Sequence, residues 1–197
     1  MNSKKLKTKD LIYAGAFAAI YIIILAIIVS VVGIVPIAYL MSPLFVGIIC
    51  ATIYMMYVTK VKKFGAILIL ACLFGLIMSS SGHFYSILGA IPIGIVAELI
   101  AKAGNYNSKK MFSLSYLVFN LTMIPPFLQL YLATDSFVEV SIEYYGQEYG
   151  DAIGNLVSTY GSMLLLMQVV VAIIGAAIGV TLAGKLSAKH FEKAGII

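Results

Sequence analysis

The stretch KKLKTKDLIYAGAFAAIYIIILAIIVSVVGI, residues 4–34, decides the fold class of this chain. Four lysines precede an apolar run that continues from Leu11 to about Ile34. A membrane-spanning helix needs roughly 20 apolar residues, and a cleaved signal peptide has a shorter apolar region. We therefore expect the run to remain in the protein as its first membrane span, over about 11–32.

Lysines recur outward from this stretch in a regular pattern. All thirteen basic residues are lysines, and they form four clusters that are separated by long apolar stretches. The clusters are Lys4, Lys5, Lys7 and Lys9; Lys60, Lys62 and Lys63; Lys102, Lys109 and Lys110; and Lys185, Lys189 and Lys193. Each interval has room for two spans, and lysine near span ends marks the cytoplasmic side. The pattern predicts an all-α integral membrane protein with six transmembrane helices and both termini in the cytoplasm.

Composition also indicates a membrane protein. The chain has 197 residues, of which 62% are hydrophobic, and its mean hydropathy is +1.05. Six spans use about 120 residues, so we expect one transmembrane domain over 1–197. The predicted spans are 11–32, 40–59, 64–78, 84–101, 111–133 and 155–184. Because the lysines lie at span ends, the net charge of +5 suits anionic lipid headgroups, and no nucleic-acid partner is expected.

Two proline positions predict irregular helices. Pro92 lies in span four between two glycines, and predicts a kink or a break. Pro125 and Pro126 predict that the outer third of span five departs from a regular helix, which is tolerated where the backbone is buried or lines a cavity. The segment 134–154 contains five acidic residues and no lysine. We expect it to be an extracellular loop with a short amphipathic helix on the membrane surface or over a pocket.

Uncharged polar residues in the outer half of the spans are the candidate ligand contacts. They are His83, Tyr85, Asn120, Gln129, Tyr131, Tyr160 and Gln168. For Asn120 and Gln168, which lie near mid-depth, a hydrogen bond between helices is the alternative interpretation. A pocket of aromatic and amide groups suits a small, flat or amphipathic ligand. The sequence predicts no catalytic residue, metal site or cofactor, because neither histidine has a convincing nucleophile beside it and the methionines accompany no Cys/His cluster.

Two further features concern helix contacts. Ala14 and Ala18 stand four residues apart on one face of span one, where small side chains let another helix approach closely. Packing inside the protein is the alternative interpretation. Glu98 is the one acidic residue predicted inside a span, and lies four residues before Lys102. We expect an ion pair near the membrane surface there rather than a proton site.

Three segments carry a resemblance to a known family. They are KLKTKDLIYAG (5–15), TKVKKFG (59–65) and KHFEKAG (189–195). Together with the six predicted spans and the pair Ala14 and Ala18, they resemble the substrate-binding S components of energy-coupling factor transporters, in the MptD-like or Trep-Strep branch. The resemblance covers the whole chain.

The resemblance implies an S-component-like helical bundle that is a non-catalytic subunit of an ATP-driven importer in a prokaryotic cell membrane. Such a subunit binds a micronutrient from outside and docks through span one on a transmembrane coupling subunit, the T subunit, which two ATPases drive. Ala14 and Ala18 would be the docking contacts. The ligand would be a vitamin-like compound, with haem or another tetrapyrrole as a specific alternative because of His83 and the aromatic residues. An autonomous small-molecule carrier, and a membrane-embedded enzyme or scaffold, remain open as other functions.

Overall fold

The computed structural model describes residues 6–186, and every regular element in that range is helical. The α-helices are α1 (Thr8–Val32), α2 (Pro36–Leu40), α3 (Ser42–Lys60), α4 (Ala66–Ser80), α5 (Tyr85–Ala103), α6 (Lys109–Phe119), α7 (Leu128–Leu132), α8 (Thr134–Tyr145), α9 (Gln147–Tyr160) and α10 (Ser162–Leu186). The all-α prediction is thereby confirmed over this range. Lys4, Lys5, Lys189, Lys193 and the segment 189–195 lie outside the described residues.

Five helical stretches of residues 6–186 are long and apolar enough to cross a membrane. They are Thr8–Val32, Ser42–Lys60, Tyr85–Ala103, Lys109–Leu132 and Ser162–Leu186. The apolar helix α4 has 15 residues, or about 22 Å at the usual helical rise, against roughly 30 Å for a hydrocarbon core. Length and composition thus support five crossings, and the sixth stays a prediction.

Side-chain contacts bring the lysine clusters to one end of the bundle, the lysine end. Lys63 Nζ lies 2.7 Å from Asp10 Oδ2, which joins the α3–α4 turn to the start of α1. Lys62 Nζ donates to Asn107 Oδ1 at 3.3 Å, which joins the same turn to the α5–α6 turn. The first three clusters therefore meet where the sequence pattern requires. Which side of a membrane this end occupies stays a prediction.

Glycines bring α3 and α10 into close contact. A methyl group added at Gly179 would overlap the Gly47 carbonyl oxygen and lie 2.7 Å from the Ala51 methyl. A methyl group at Gly175 would overlap the Leu44 carbonyl oxygen in the same way. Since 175 pairs with 44 and 179 with 47, the two helices run in the same direction. The end of α10 therefore lies at the lysine end.

One face of α1 is buried along the whole helix. Its buried residues are Ala14, Ala18, Tyr21, Leu25 and Ile28, at alternating spacings of four and three. This spacing keeps one stripe of a helix against its neighbours. α1 packs mainly on α3 and α4, so these residues belong to the centre of the bundle.

The two proline predictions have different outcomes. Pro92 lies inside α5, which continues without interruption from Tyr85 to Ala103, so the prediction of a break was wrong and the kink stays a prediction. A proline removes one helical hydrogen bond, a loss that helices in membranes tolerate. Around Pro125 and Pro126 the chain does leave the α-helix, through 3-10 turns at Asn120–Met123 and Pro125–Phe127.

The predicted acidic loop is a pair of helices. α8 and α9 pack against each other, and a methyl group at Gly150 would overlap the Ile142 side chain. Tyr149 Oη donates to the Gly33 carbonyl oxygen at 2.8 Å, which ties α9 to the end of α1 away from the lysines. The predicted start of span six at 155 was wrong, because Gly161, at φ 46°, turns the chain between α9 and α10. Glycine adopts that left-handed conformation without a steric penalty.

Candidate functional site

A cavity of about 550 Å³ lies under α8 and α9, at the end of the bundle opposite the lysines. We call it the outer cavity. Its walls include the turn 81–84, α7 and the inner faces of α8 and α9. The lining includes His83, Gln129, Phe137, Tyr144, Tyr145 and Tyr149.

A second cavity of about 280 Å³ continues toward the centre of the bundle, and we call it the inner cavity. Val29, Tyr39, Ser81 and His83 line both cavities, so the two adjoin. Farther in, the lining includes Ser42 at the start of α3.

The local sequence explains how the chain folds around these two cavities. Gly82, at φ 94°, reverses the chain between α4 and α5, a conformation that suits glycine. A methyl group at Gly89 would overlap the Pro125 ring, so this glycine lets the 3-10 segment lie directly on α5. Pro126 and Phe127 therefore line the inner cavity. A regular α-helix in place of the 3-10 turns would place these two residues in different positions.

Two polar atoms of the cavity lining have no hydrogen-bond partner among residues 6–186. They are His83 Nδ1 and Ser42 Oγ, both buried, and the Ser42 residue is fully buried. Burial lowers the pKa of His83 below its ordinary value, while a hydrogen bond to the Pro126 backbone opposes that shift. The imidazole is therefore neutral at neutral pH. Because a buried polar atom without a partner costs free energy, both atoms are suited to bind a polar group of a ligand.

Aromatic rings form much of the outer wall. The Tyr39 ring packs against Phe127 and Phe137, with centroid distances of 5.1 and 6.3 Å. The Tyr145 and Tyr149 rings stack at 4.6 Å. Burial raises the pKa of Tyr149 to about 12, so its hydroxyl stays protonated and keeps the hydrogen bond to α1.

The structure separates the seven predicted ligand contacts into groups. His83 and Gln129 line the outer cavity. Tyr131 and Gln168 instead bond to each other, with Tyr131 Oη donating to Gln168 Oε1 at 2.8 Å. Gln168 Nε2 also donates to the Leu40 carbonyl oxygen at 3.3 Å. The two hydrogen bonds of Gln168 therefore connect α10 to α7 and to α2.

Asn120 follows the alternative interpretation, a hydrogen bond between helices. Its Nδ2 donates to the carbonyl oxygens of Pro43 at 3.0 Å and Ala172 at 2.8 Å. The side chain thereby holds the 3-10 segment between α3 and α10. Tyr85 is half-buried and lines neither cavity, and Tyr160 is exposed in a separate groove of about 460 Å³ between α2 and α9.

Several cavity residues were not among the predicted contacts. Tyr144 and Tyr149 belong to the acidic segment that was predicted to lie on the membrane surface or over a pocket, and their aromatic side chains there were a usable signal. Tyr39 and Ser42 carry no such signal, because both lie in a long apolar region, Tyr39 on the five-residue helix α2 and Ser42 at the start of α3.

The predicted docking residues lie inside the bundle. Ala14 is 1% exposed and Ala18 is 2% exposed. The next small pair on the same helix, Gly15 and Ala19, faces outward, and a methyl group at Gly15 would meet none of the atoms in the described part of the chain within 4 Å. In this conformation Gly15 and Ala19 are open to a partner helix, whereas Ala14 and Ala18 are not.

Glu98 does not form the predicted ion pair. Its Oε2 accepts from the Leu68 backbone N–H at 3.1 Å, and its Oε1 accepts from Tyr106 Oη at 2.8 Å. Lys102 Nζ lies over the Phe64 ring, 5.4 Å from its centroid. The prediction was wrong because the first turn of α4 has backbone N–H groups without helical partners, and the carboxylate of Glu98 satisfies one of them.

Comparison with known families identifies the chain. A family model described as a hypothetical bacterial integral membrane protein, Trep_Strep, matches residues 8–193. This chain belongs to the Trep_Strep family. No match was found among curated proteins or solved structures. As a Trep_Strep protein, the chain is a bacterial integral membrane protein, which agrees with its apolar helices.

Proposed function

We propose that this Trep_Strep protein is the substrate-binding S component of an energy-coupling factor importer. In this proposal it captures a micronutrient from outside the cell membrane and docks on a T subunit that two ATPases drive. The observation that carries the proposal is the outer cavity, which lies at the end opposite the lysines and continues inward through the inner cavity. If the lysine end is cytoplasmic, the cavity opens toward the outside.

The cavity lining favours a vitamin-like ligand over haem. Among the described residues that line the two cavities, none carries a lysine, arginine or carboxylate side chain. A tetrapyrrole with carboxylate side chains would find no basic partner there, and burying an unpaired charge is costly. Aromatic walls with a few polar atoms are typical of sites for small organic molecules.

The proposal also includes the sixth crossing and the orientation. α4 runs beside α5, and a methyl group at Gly94 would overlap the Ala71 methyl, so the short helix is packed within the bundle. With α4 as a span, both ends of the described chain lie on the cytoplasmic side. A short span is accommodated by local thinning of the bilayer.

Filling the cavity from its rim tests the proposal. Ser81 lines both cavities and Ser80 lines neither, although both hydroxyls donate to the Ile77 carbonyl oxygen. We expect Ser81→Trp to reduce the amount of copurifying small molecule at least about tenfold, because the indole occupies the space of the ligand. Ser80→Trp should leave it unchanged. Mass spectrometry of the denatured purified proteins measures both, and equal retention by the two variants would reject the cavity as the binding site.

Docking is tested on the exposed face of α1. We expect Gly15→Leu and Ala19→Leu to reduce copurification with the T subunit and its ATPases by about tenfold or more, because a bulky side chain keeps a partner helix away. Ligand retention should not change. Ala177→Leu, on the exposed face of α10, is the matched control. Uptake into liposomes that contain this protein without any ATPase would contradict docking and establish an autonomous carrier.

A further inference from the structure

The two helices over the outer cavity combine aromatic lining with acidic charge. Between Lys110 and Lys185 the sequence contains no basic residue and five acidic ones. They are Asp135, Glu139, Glu143, Glu148 and Asp151, all exposed on α8 and α9. The same helices supply Tyr144, Tyr145 and Tyr149 to the cavity wall.

The acidic side chains of α8 do not line the cavity themselves. Residues 137, 140, 141 and 144 line it, at the spacing of one helix face, whereas 135, 139 and 143 lie on the opposite face. A helix is about 10 Å across, and charges are screened over about 8 Å at physiological ionic strength. The negative charge therefore acts at the mouth as a screened field that raises the local concentration of cations.

The cavity wall offers a cation a favourable surface without a counter-charge. Tyr144 is 74% exposed and Tyr145 is 59% exposed, although both line the cavity. One face of the Tyr145 ring stacks on Tyr149, and the remaining ring surface of the two residues is open to a ligand at the mouth. The face of an aromatic ring attracts an ammonium group, and cages of such rings bind quaternary ammonium compounds. The absence of charged groups from the described lining leaves an anion without a partner.

We propose that the ligand of the outer cavity is an organic cation, in which an ammonium or protonated nitrogen group lies against Tyr144 and Tyr145. An uncharged part of the ligand extends past Tyr39 toward His83 and Ser42, whose unpartnered atoms bind its polar groups. This inference rests on the proposed function and names the substrate class of the same site.

Three probes of similar shape test the charge preference. They are benzyltrimethylammonium, the neutral N-tert-butylbenzamide and the anion 4-tert-butylbenzoate. We expect the cation to bind the full-length protein at least about tenfold more tightly than the neutral probe in calorimetric titrations, and the anion to bind least. Tyr144→Leu and Tyr145→Leu should each weaken binding of the cation about twofold to thirtyfold and leave binding of the neutral probe nearly unchanged. The phenylalanine variants keep the aromatic ring and should therefore retain binding of the cation.

The field of α8 is tested separately. We expect the double variant Glu139→Gln and Glu143→Gln to slow association of the cation about twofold to fivefold at low salt, and to have no effect at high salt, where the charges are screened. The neutral probe should associate at the same rate in both proteins. An unchanged association rate of the cation at low salt, or an equal slowing of the neutral probe, would overturn the role of the α8 charges.

Several outcomes would overturn the cation proposal. One is tighter binding of the neutral or anionic probe, and another is equal weakening of all probes by the tyrosine variants. If none of the probes binds, mass spectrometry identifies the molecule that copurifies with the protein. A neutral or anionic compound that is lost in Ser81→Trp would refute the cation proposal and leave the S-component function standing. Failure of the proposed function is distinct, because then neither Ser81→Trp nor Ser80→Trp changes any bound molecule.

Discussion

Gly179→Leu is expected to abolish the folded bundle. A single methyl group at this position would already overlap the Gly47 carbonyl oxygen and lie 2.9 Å from the Ile48 carbonyl oxygen. These are backbone atoms of α3, so they cannot move aside as a flexible side chain can. Overpacking a rigid contact costs about 1–3 kcal/mol for small additions, and leucine adds three more carbon atoms. We expect Gly179→Ala to lower the free energy of unfolding by that amount, and Gly179→Leu to yield no monodisperse protein.

Gly184 supplies the matched control on the same helix. A methyl group there would meet no atom of the described residues within 4 Å. Gly184→Ala should raise the thermal denaturation temperature slightly or leave it unchanged, because alanine favours a helix by up to about 1 kcal/mol relative to glycine. Thermal denaturation in detergent and size-exclusion profiles measure all variants. If Gly179→Ala and Gly184→Ala denature alike, α3 and α10 do not pack as closely as described.

The side of α1 that faces the bundle could not be predicted from its sequence. Ala14 with Ala18 and Gly15 with Ala19 are two small pairs of the same spacing, one residue apart. In a soluble helix the polar side chains would mark the outer face. In a membrane both faces are apolar, so hydrophobic periodicity does not distinguish them. The location of the lysines at the ends of helices, in contrast, was predictable. A lysine inside the hydrocarbon core of the membrane costs free energy, so lysines stay near the ends of spans.

The residues that line the cavity were also only partly predictable from the sequence. His83 and Gln129 were identified because a polar residue beside a turn or a proline pair is locally unusual. Tyr39 lines the cavity only because α2, the turn 81–84 and α8 meet, and these segments are remote in the chain. Asn120 has the same polar character as Gln129 but bonds to α3 and α10. Residue type therefore identified buried polar groups, and the tertiary contacts decided which of them a ligand could reach.

Glu98→Leu is expected to destabilise the bundle by about 2–4 kcal/mol. The carboxylate is 1% exposed and accepts hydrogen bonds from the Leu68 N–H and the Tyr106 hydroxyl. Leucine would leave both donors unpaired, each at about 1–3 kcal/mol when water cannot replace the partner. It would also remove a negative charge from the N-terminus of α4, where the helix dipole favours one. Burial together with the bond to Glu98 raises the pKa of Tyr106, so its hydroxyl remains a donor.

A double-variant cycle distinguishes this capping role from simple packing. Glu98→Gln keeps an acceptor for Leu68 and should cost about 1 kcal/mol, less than the leucine variant. Tyr106→Phe removes one donor, so it should cost less in the Glu98→Leu background than in the natural chain. Glu143→Leu, at an exposed position, serves as the control for loss of a carboxylate. Additive effects of the Glu98 and Tyr106 substitutions on thermal denaturation in detergent would contradict the capping role, since two side chains that share a hydrogen bond have non-additive effects on stability.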